Sequence, residues 1–302
     1  MSDRETFKKE LEEKTREVEA LIETYLPEES GDQRTILEAM NYSMRAGGKR
    51  LRPLFMQEMC CLFTGELLDT VKPFMAAIEM IHTSSLVHDD LPCMDDDMMR
   101  RGKASTWAEY GEDIGVLAGD ALMMYAVETA AKAFEAAQDG DELARVGRAM
   151  GILARKTGVC GMIGGQTVDV ELAGGPIPKD KLDFIYRLKT GALIEASMLI
   201  GAVLGGAADQ DCRIVESLAS KLGLAFQIQD DILDVAGDAA ATGKPAGSDA
   251  RNKKTTYVTL EGLDKAKKEV ERLSREAAED LDKLGSNEFL ESLIQYLAGR
   301  EK

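Results

Sequence analysis

Apolar side chains recur at helical spacing along most of the chain, with charged residues between them. The pattern covers the segments 5–26, 74–88, 114–137, 181–204, 213–234 and 264–298. Segment 74–88 is apolar on nearly every side, as expected of a helix buried in a core. These segments are rich in strong helix formers, and alternating strand patterns of any length are absent. The pattern therefore predicts an all-α fold.

Residues 236–256, which are rich in Gly, Ala and charge, are the best candidate for a linker. This stretch directly follows an acidic motif, which favours a mobile active-site loop over a domain boundary. No internal repeat of fixed period occurs in the chain. The sequence therefore predicts a single domain over residues 1–302.

The charge and cysteine content narrow the class of protein. The 302 residues include 37 Lys and Arg against 54 Asp and Glu, a formal net charge of −17. This balance argues against a general nucleic-acid binder, because the phosphate backbone favours a basic surface. No apolar run is long enough for a transmembrane helix, and the N-terminus lacks the apolar core of a signal peptide. The five cysteines follow no disulfide framework, so we expect a soluble cytosolic protein.

A first cluster of acidic residues follows the apolar segment 74–88. It consists of Asp89, Asp90, Asp95, Asp96 and Asp97. Carboxylates this close in sequence repel one another unless a cation shares them. A run of charges is usually a solvated turn. Its attachment to a buried helix nevertheless favours a functional interpretation here.

A second cluster contains Gln227, Asp230, Asp231 and Asp234. Spacings of three and four place its carboxylates on one face of a helix whose other residues are largely apolar. Acidic residues on a buried helix need a partner, and the two clusters could face each other across a helical bundle. Oxygen ligands that leave coordination positions open suit Mg²⁺ bound to a phosphorylated substrate. Calcium is the weaker interpretation, because the EF-hand loop pattern is missing.

Basic residues accompany both clusters in this acidic chain. They are Lys49, Arg52, Arg100, Arg101, Lys189, Lys244 and Lys254. Any one of them could be an ordinary surface charge, but the set indicates recognition of a di- or triphosphate. His82, taken alone on its apolar helix, is more typical of a core histidine.

Together these motifs resemble the trans-isoprenyl diphosphate synthase family, specifically its short-chain farnesyl and geranylgeranyl diphosphate synthases of bacterial and plant type. The resemblance rests on GGKRLRP (47–53), IHTSSLVHDDLPCMDDDMMRRG (81–102), GDAL (119–122), GGQTVD (164–169), KTGAL (189–193), FQIQDDILD (226–234) and GKPAGSD (243–249). It implies a bundle of about ten or more helices around a central apolar cavity, and a homodimer. It also implies Mg²⁺-dependent condensation of isopentenyl diphosphate with dimethylallyl, geranyl or farnesyl diphosphate. The reaction would pass through an allylic carbocation and release pyrophosphate.

The resemblance also implies roles for individual residues. Two Mg²⁺ ions at the first motif and one at the second would be held or supported by Asp89, Asp90, Asp95, Asp96, Asp230, Asp231 and Asp234. The allylic diphosphate would contact Arg100, Lys189, Lys244 and Lys254. The isopentenyl diphosphate site would contain Gly48, Lys49, Arg52, His82 and Arg101. The catalytic set would be Lys189, Thr190 and Gln227, with Gln166 and Asp169 lining the same cavity in a role that we leave open.

The expected product length depends on the helix before the first motif. In the family, a large aromatic residue five positions before the first aspartate tends to stop growth at C15. This chain has Ser84 there, between Thr83 and Ser85, and all three are small. The insertion Pro92–Cys93 favours shorter products, and Phe74 with Met75 could form the floor instead. We expect a geranylgeranyl-capable enzyme, with farnesyl diphosphate as the alternative product.

Two other functions compete with this interpretation. A class I terpene cyclase shares the all-α fold, but its second metal motif should contain Asn, Ser and Glu, whereas this chain has Asp-Asp-Ile-Leu-Asp. A non-catalytic partner subunit of a prenyl synthase tends to lose one aspartate motif, and this chain keeps both.

Overall fold

The computed structural model describes residues 3–236 and 255–299. Apart from turns and one short hairpin, the described residues are helical, which confirms the all-α prediction. The loop predicted over 236–256 lies outside the described residues except at its two ends. Lys244 and Lys254 lie outside them as well.

Fifteen α-helices make up the described part of the chain. The first eight are α1 Asp3–Glu23, α2 Arg34–Met44, α3 Leu51–Thr64, α4 Lys72–Asp89, α5 Thr106–Tyr110, α6 Glu112–Ala131, α7 Ala133–Ala136 and α8 Gly140–Thr157. The others are α9 Met162–Glu171, α10 Lys179–Ile185, α11 Ala192–Leu204, α12 Asp209–Ala236, α13 Tyr257–Glu261, α14 Leu263–Asp282 and α15 Glu288–Ala298. A π-helical segment, Tyr186–Gly191, joins α10 to α11.

The hairpin consists of the antiparallel strands β1 Met99–Arg100 and β2 Lys103–Ala104. Its two-residue turn is Arg101–Gly102, with φ values of 52° and 78°. Positive φ at both central positions is the geometry that closes a tight hairpin. This turn is short enough to have escaped the hydrophobic pattern.

Two predicted helices are broken in the structure. Segment 264–298 divides into α14 and α15, with Gly285 at a φ of 145° in the break. The side chain of Asn287 then caps α15 by accepting a hydrogen bond from the backbone N–H of Leu290 at 2.9 Å. Segment 114–137 likewise divides into α6 and α7 at Lys132. An amphipathic period continues across such breaks, so it does not reveal them.

The chain divides into two compact units. The first contains residues 1–57 and 67–150, and the second contains 58–66 and 151–302. In the first unit α4 is the central helix: α6 packs along it, and α1 and α2 also contact it. In the second unit every residue of α11 is buried, and α12 packs against α11, α14 and the π-helical segment. The single domain and its central cavity stay predictions.

Among the described helices, the stretch Glu112–Ala136 is long and apolar enough to cross a membrane by length and composition alone. It contains α6, which buries Gly115, Ala118 and Leu122 while packing along α4. Leu117 and Met124 on the same helix are exposed. Burial of one face fits a core helix of the first unit better than a membrane span.

Candidate active site

The first aspartate motif forms a compact loop at the end of α4. After Asp89 the chain turns back, and the backbone N–H of Asp95 donates to the backbone oxygen of Asp89 at 2.9 Å. The N–H of Asp97 donates to the oxygen of Asp90 at 3.1 Å. Pro92–Cys93 lie within this bend, so the insertion provides the length that brings Asp95 back beside Asp89. Asp95 is exposed and Asp89 partly so, which leaves both available to solvent and ligand.

Asp90 has a different environment from its neighbours. Its side chain is buried, and one oxygen accepts a 3.0 Å hydrogen bond from Nε of Arg100. Nη2 of Arg100 also donates to Asp90, and it lies 3.4 Å from an oxygen of Asp97. Burial alone would lower the pKa of Arg100, but the hydrogen bond and charge of Asp90 outweigh it, so the pKa is raised. Asp90 therefore holds the Arg100 guanidinium, and the metal-supporting role expected of it stays a prediction.

The Gly47–Arg52 segment and Arg101 come together in the first unit. Arg101 donates through Nη1 to the backbone oxygen of Gly47. A Cβ at Gly48, whose φ is 149°, would lie 2.9 Å from the same Nη1 atom. Gly48 thus permits a close approach of the guanidinium to the turn. Of the two other predicted cations here, Lys49 is exposed and Arg52 is partly buried.

His82 lies in the field of these cations. Burial and the charges of four arginines hold the pKa of His82 well below its ordinary value of 6.5. The arginines are Arg52, Arg101, Arg50 and Arg100. A histidine beside several guanidinium groups, two of them paired with carboxylates, marks a candidate site for a polyanion.

We expect the His82 ring to stay neutral at pH 6.5 in the free protein and to gain proton affinity when pyrophosphate binds. The added anion offsets the arginine charges that depress the pKa. Proton NMR suits this measurement because the chain has only two histidines, and the His88→Gln variant assigns the signal of His82. A ring that titrates at or above 6.5 in the free protein would contradict the prediction.

The lowered pKa of His82 also makes the free energy of unfolding depend on pH. Because the folded pKa is depressed, the unfolded chain binds the proton first as the pH falls. The free energy of unfolding should therefore drop below about pH 6.5, by up to about 1.4 kcal/mol per pH unit from this residue. His82→Gln should reduce that slope, and denaturant titrations between about pH 7.5 and pH 5.5 measure it.

A small cleft, open to solvent and lined by both polar and apolar side chains, lies beside Asp90 and Arg100. Thr83 and Ser105 line it, and among the described residues neither buried hydroxyl has a hydrogen-bond partner. Of the other predicted chain-length residues, Ser84 is fully buried, and Ser85 donates to the backbone oxygen of His82 at 2.8 Å. Thr83 thus lines this cleft, whereas Ser84 lies in the interior.

In the second unit, α12 carries the second aspartate motif. Asp230 and Asp234 are partly exposed, whereas Asp231 is buried. One oxygen of Asp231 accepts from the Tyr186 hydroxyl at 2.6 Å and from the backbone N–H of Tyr257 at 2.9 Å. Asp231 therefore joins α12 to the π-helical segment and to the start of α13. The sequence analysis missed both tyrosines, because no spacing rule relates them to the motif.

The π-helical segment brings the predicted catalytic residues together. The Thr190 hydroxyl donates to Oε1 of Gln227 at 2.8 Å, and Lys189 pairs with Asp169 at 2.6 Å. A Cβ at Gly165 would lie 2.3 Å from the backbone nitrogen of Lys189, so α9 packs directly against the segment. π-helical turns are frequent at functional sites, because they redirect side chains within a helix. Gln166, whose role we left open, lies on the same helix α9.

The polyprenyl synthetase family model matches residues 33–295, nearly the whole chain. The chain belongs to the polyprenyl synthetase family. The chloroplastic heterodimeric geranylgeranyl pyrophosphate synthase large subunit 1 of Arabidopsis thaliana is 44% identical, covering 88% of this chain and 72% of the relative. The chloroplastic geranylgeranyl pyrophosphate synthase of Catharanthus roseus is 43% identical, with coverages of 88% and 74%.

Solved structures agree with this assignment. An apo FPP/GFPP synthase from Zymomonas mobilis superposes with a TM-score of 0.84 at 32% identity, covering 97% of this chain and 99% of that one. A geranyltransferase from Helicobacter pylori, complexed with magnesium and isoprenyl diphosphate, gives 0.81 at 30% identity, with coverages of 95% and 94%. This polyprenyl synthetase is therefore a prenyltransferase that elongates prenyl chains. The predicted family and prenyl-chain elongation are confirmed, and neither a terpene cyclase nor a non-catalytic subunit is favoured.

The carboxylates of this polyprenyl synthetase fit one kind of metal site. Within residues 3–236 and 255–299, no three His, Cys, Asp or Glu side chains converge to hold an ion. Mg²⁺ commonly uses only one or two carboxylates and completes its octahedron with water and substrate phosphate oxygens. Asp89 and Asp95 fit such a site, which the substrate would complete, because they lie side by side and reach solvent.

Proposed function

We propose that this polyprenyl synthetase condenses isopentenyl diphosphate with allylic diphosphates as far as geranylgeranyl diphosphate. Ser84 carries the proposal: a small, fully buried side chain stands where the family places an aromatic residue to stop at C15. Relatives named as geranylgeranyl pyrophosphate synthases support it. Farnesyl diphosphate is the second candidate, because a structural neighbour is named an FPP/GFPP synthase.

We propose that three Mg²⁺ ions bind with the allylic diphosphate, two at Asp89 and Asp95 and one at Asp230. Asp90, Asp96, Asp231 and Asp234 would support them. The magnesium in the Helicobacter pylori geranyltransferase structure supports Mg²⁺ as the cofactor. When bound, Mg²⁺ supplies positive charge to the departing diphosphate.

The basic residues of the allylic site serve the same leaving group. Arg100 and Lys189, held by Asp90 and Asp169, would bind its oxygens, together with Lys244 and Lys254. As the bond between C1 and oxygen breaks, its electron pair leaves with the diphosphate. The isopentenyl double bond then attacks C1, and the pyrophosphate accepts the proton that is lost.

Thr190 and Gln227 are suited to stabilise the carbon cation. The Thr190 hydroxyl proton is directed at Oε1 of Gln227, so the lone pairs of the hydroxyl oxygen are free to face a positive charge. Neither residue needs to form a covalent bond. Dry surroundings are required, because water would quench the cation.

We propose that the diphosphate of isopentenyl diphosphate binds to Lys49, Arg52, His82 and Arg101, beside Gly48. The positive field that keeps His82 neutral supports this assignment. A neutral imidazole can donate one hydrogen bond to a phosphate oxygen while the guanidinium groups provide the charge.

We expect wild-type protein to make C20 product from farnesyl diphosphate and Ser84→Tyr to stop at C15. The tyrosine ring would occupy the interior position that serine leaves small. Incubation with labelled isopentenyl diphosphate, Mg²⁺ and each allylic starter, followed by sizing of the alcohols, measures this. Ser84→Ala is the matched control and should keep the C20 product.

Each outcome of this assay has a distinct meaning. An unchanged product distribution for Ser84→Tyr would show that the floor lies elsewhere, for example at Phe74. A wild-type stop at C15 would establish farnesyl diphosphate as the product. Absence of condensation with every starter would overturn the proposed function.

We propose that the protein is a homodimer that pairs through α6 and α7. These helices expose a row of apolar side chains, namely Val116, Leu117, Met124, Val127 and Phe134. Helical spacing places them on one face, and an exposed apolar face of this extent is typical of an interaction site. A second copy can bury the row against itself.

Leu117→Asp combined with Met124→Asp should convert the dimer to monomer. Burying two carboxylates in an apolar interface is strongly unfavourable. Sedimentation should show a fall from twice the chain mass of 32.9 kDa to once that mass. Leu143→Asp, at an exposed leucine of α8, is the control and should remain dimeric.

A wild-type monomer would overturn the homodimer. It would favour a heteromeric partner, as the name of the Arabidopsis thaliana relative indicates for that protein.

We also propose that the protein acts in the cytosol, on the sequence argument alone.

A further inference from the structure

Arg50 lies in the middle of the Gly47–Arg52 segment, yet its side chain is buried. Nη1 of Arg50 donates to Glu79 at 3.0 Å, and Nη2 donates to the backbone oxygen of Met44 at 2.7 Å. Its Nε lies 3.5 Å from a carboxylate oxygen of Glu19 on α1. The guanidinium thus connects three parts of the first unit at the point where the turn enters α3.

Glu79 is the complementary half of this contact. It is 2% exposed on the apolar helix α4, where an unpaired carboxylate would be very unfavourable. Glu79 precedes His82 by three residues, so both side chains lie on one face of the helix. The Arg50–Glu79 pair therefore ties the turn at 47–50 to the helix face that carries His82.

The pair also acts electrostatically on two residues of the proposed isopentenyl diphosphate site. The charge of Arg50 contributes to lowering the pKa of His82. Burial lowers the pKa of Arg101, and the charge of Glu79 partly offsets that effect. Arg101 in turn donates to the oxygen of Gly47, so the turn is held from both sides.

Two features of Arg50 would be unfavourable if the residue served only to stabilise the fold. Its φ of 48° lies in the left-handed region, which non-glycine residues adopt at a cost. A buried ion pair is also often a weaker stabiliser than apolar residues of similar volume. Both features occur at one residue, between two proposed ligands of the diphosphate. Their coincidence favours a functional reason for the pair.

We propose that Arg50, hydrogen-bonded to Glu79 and to the backbone oxygen of Met44, is a positioning residue. It holds the Gly47–Lys49 turn so that Lys49 and Arg52 can bind the diphosphate of isopentenyl diphosphate. The proposal rests on the function proposed above. Arg50 does not touch the substrate in this arrangement, because its guanidinium is directed into the first unit.

The test uses three variants. Two are the single substitutions Arg50→Lys and Glu79→Gln, and the third is a double variant that carries both Arg50→Met and Glu79→Met. Both single variants should raise the KM for isopentenyl diphosphate about tenfold, the size of effect seen when the partner of a metal-ligating residue is lost. The KM for the allylic diphosphate and the kcat at saturation should stay within about twofold of wild type, because the other site keeps its contacts. Glu17→Gln, at an exposed position of α1, is the control and should change nothing.

The double variant shows whether Arg50 and Glu79 position the turn or only fill the space between the helices. Two methionines can fill the volume and should restore thermal stability, but they cannot hold the turn by hydrogen bonds. Its KM for isopentenyl diphosphate should therefore remain elevated. Recovery of this KM together with stability would overturn the proposal, and so would an equal loss in all kinetic parameters of the single variants.

A binding measurement distinguishes this proposal from the proposed function. Calorimetry with inorganic pyrophosphate in Mg²⁺-free buffer reports on the site at Lys49 and Arg52 without condensation, because the proposed allylic site binds its diphosphate together with Mg²⁺. Weaker binding by Arg50→Lys and Glu79→Gln than by wild type would support positioning even if no starter were condensed. Unchanged affinity would overturn the positioning role even if wild type proved fully active.

Discussion

Asp89→Asn should lower the turnover of this polyprenyl synthetase by about a hundredfold to a thousandfold, the range expected when one group stabilising the transition-state charge is lost. Asp89 ends α4, and the backbone hydrogen bond from Asp95 at 2.9 Å fixes the two residues side by side. Asparagine keeps the size and the backbone geometry but removes the negative charge that would hold Mg²⁺. The expected effect is therefore on catalysis and not on folding.

Turnover and its dependence on Mg²⁺ concentration should be measured together for Asp89→Asn. We expect a higher Mg²⁺ concentration at half-maximal activity along with the lower turnover, and an unchanged thermal unfolding temperature. Asp264→Asn, an exposed aspartate in the first turn of α14, is the matched control. Turnover within about threefold of wild type would exclude Asp89 from metal binding.

Gly165→Ala should lower turnover by about a hundredfold, because a misplacement of about 1 Å can have that effect on catalysis. The added methyl would lie 2.3 Å from the backbone nitrogen of Lys189 and 2.8 Å from the backbone carbon of Leu188. Neither backbone atom can rotate away, so α9 and the π-helical segment must separate. Separation moves Lys189 relative to Asp169, which lies on α9 with Gly165.

Gly147→Ala on α8 is the control for this substitution. A Cβ there meets no atom within 4 Å, so alanine should leave turnover unchanged. It should also stabilise the helix by up to about 1 kcal/mol. Circular dichroism should show both variants folded, with a lower unfolding temperature for Gly165→Ala. Wild-type turnover in Gly165→Ala would show that the contact between α9 and the π-helical segment is not needed for catalysis.

The long helices could be predicted because apolar residues at helical spacing mark the faces that they bury. Segment 74–88 corresponds to α4, Lys72–Asp89, and segment 213–234 lies within α12, Asp209–Ala236. The π-helical segment inside 181–204 could not be predicted in this way. It depends on the approach of Gly165, and on Gly223, where a Cβ would lie 2.8 Å from the Cα of Gly191. The residues in these contacts are distant in sequence.

The residues of the candidate site likewise include some that the sequence could identify and some that it could not. The aspartates, the arginines and Lys189 could be identified because a charge cluster beside a buried helix is unusual in any sequence. Glu79 offered a similar signal, as a lone carboxylate on an apolar helix, although its partner could not be named. Arg50 is 29 residues away from it, and many other cations were available.

By itself, the sequence determined the all-α class, the positions of the main helices and the candidate residues for phosphate and metal binding. These follow from local periodicity and from charge, which can be read directly from the order of the residues. Only the tertiary structure decided which carboxylates are buried and which reach solvent. Asp90 is buried against Arg100, and Asp231 is buried against Tyr186 and Tyr257, while Asp89 and Asp95 reach solvent. Adjacent aspartates are chemically identical, and burial and partners distinguish them only after the helices have packed.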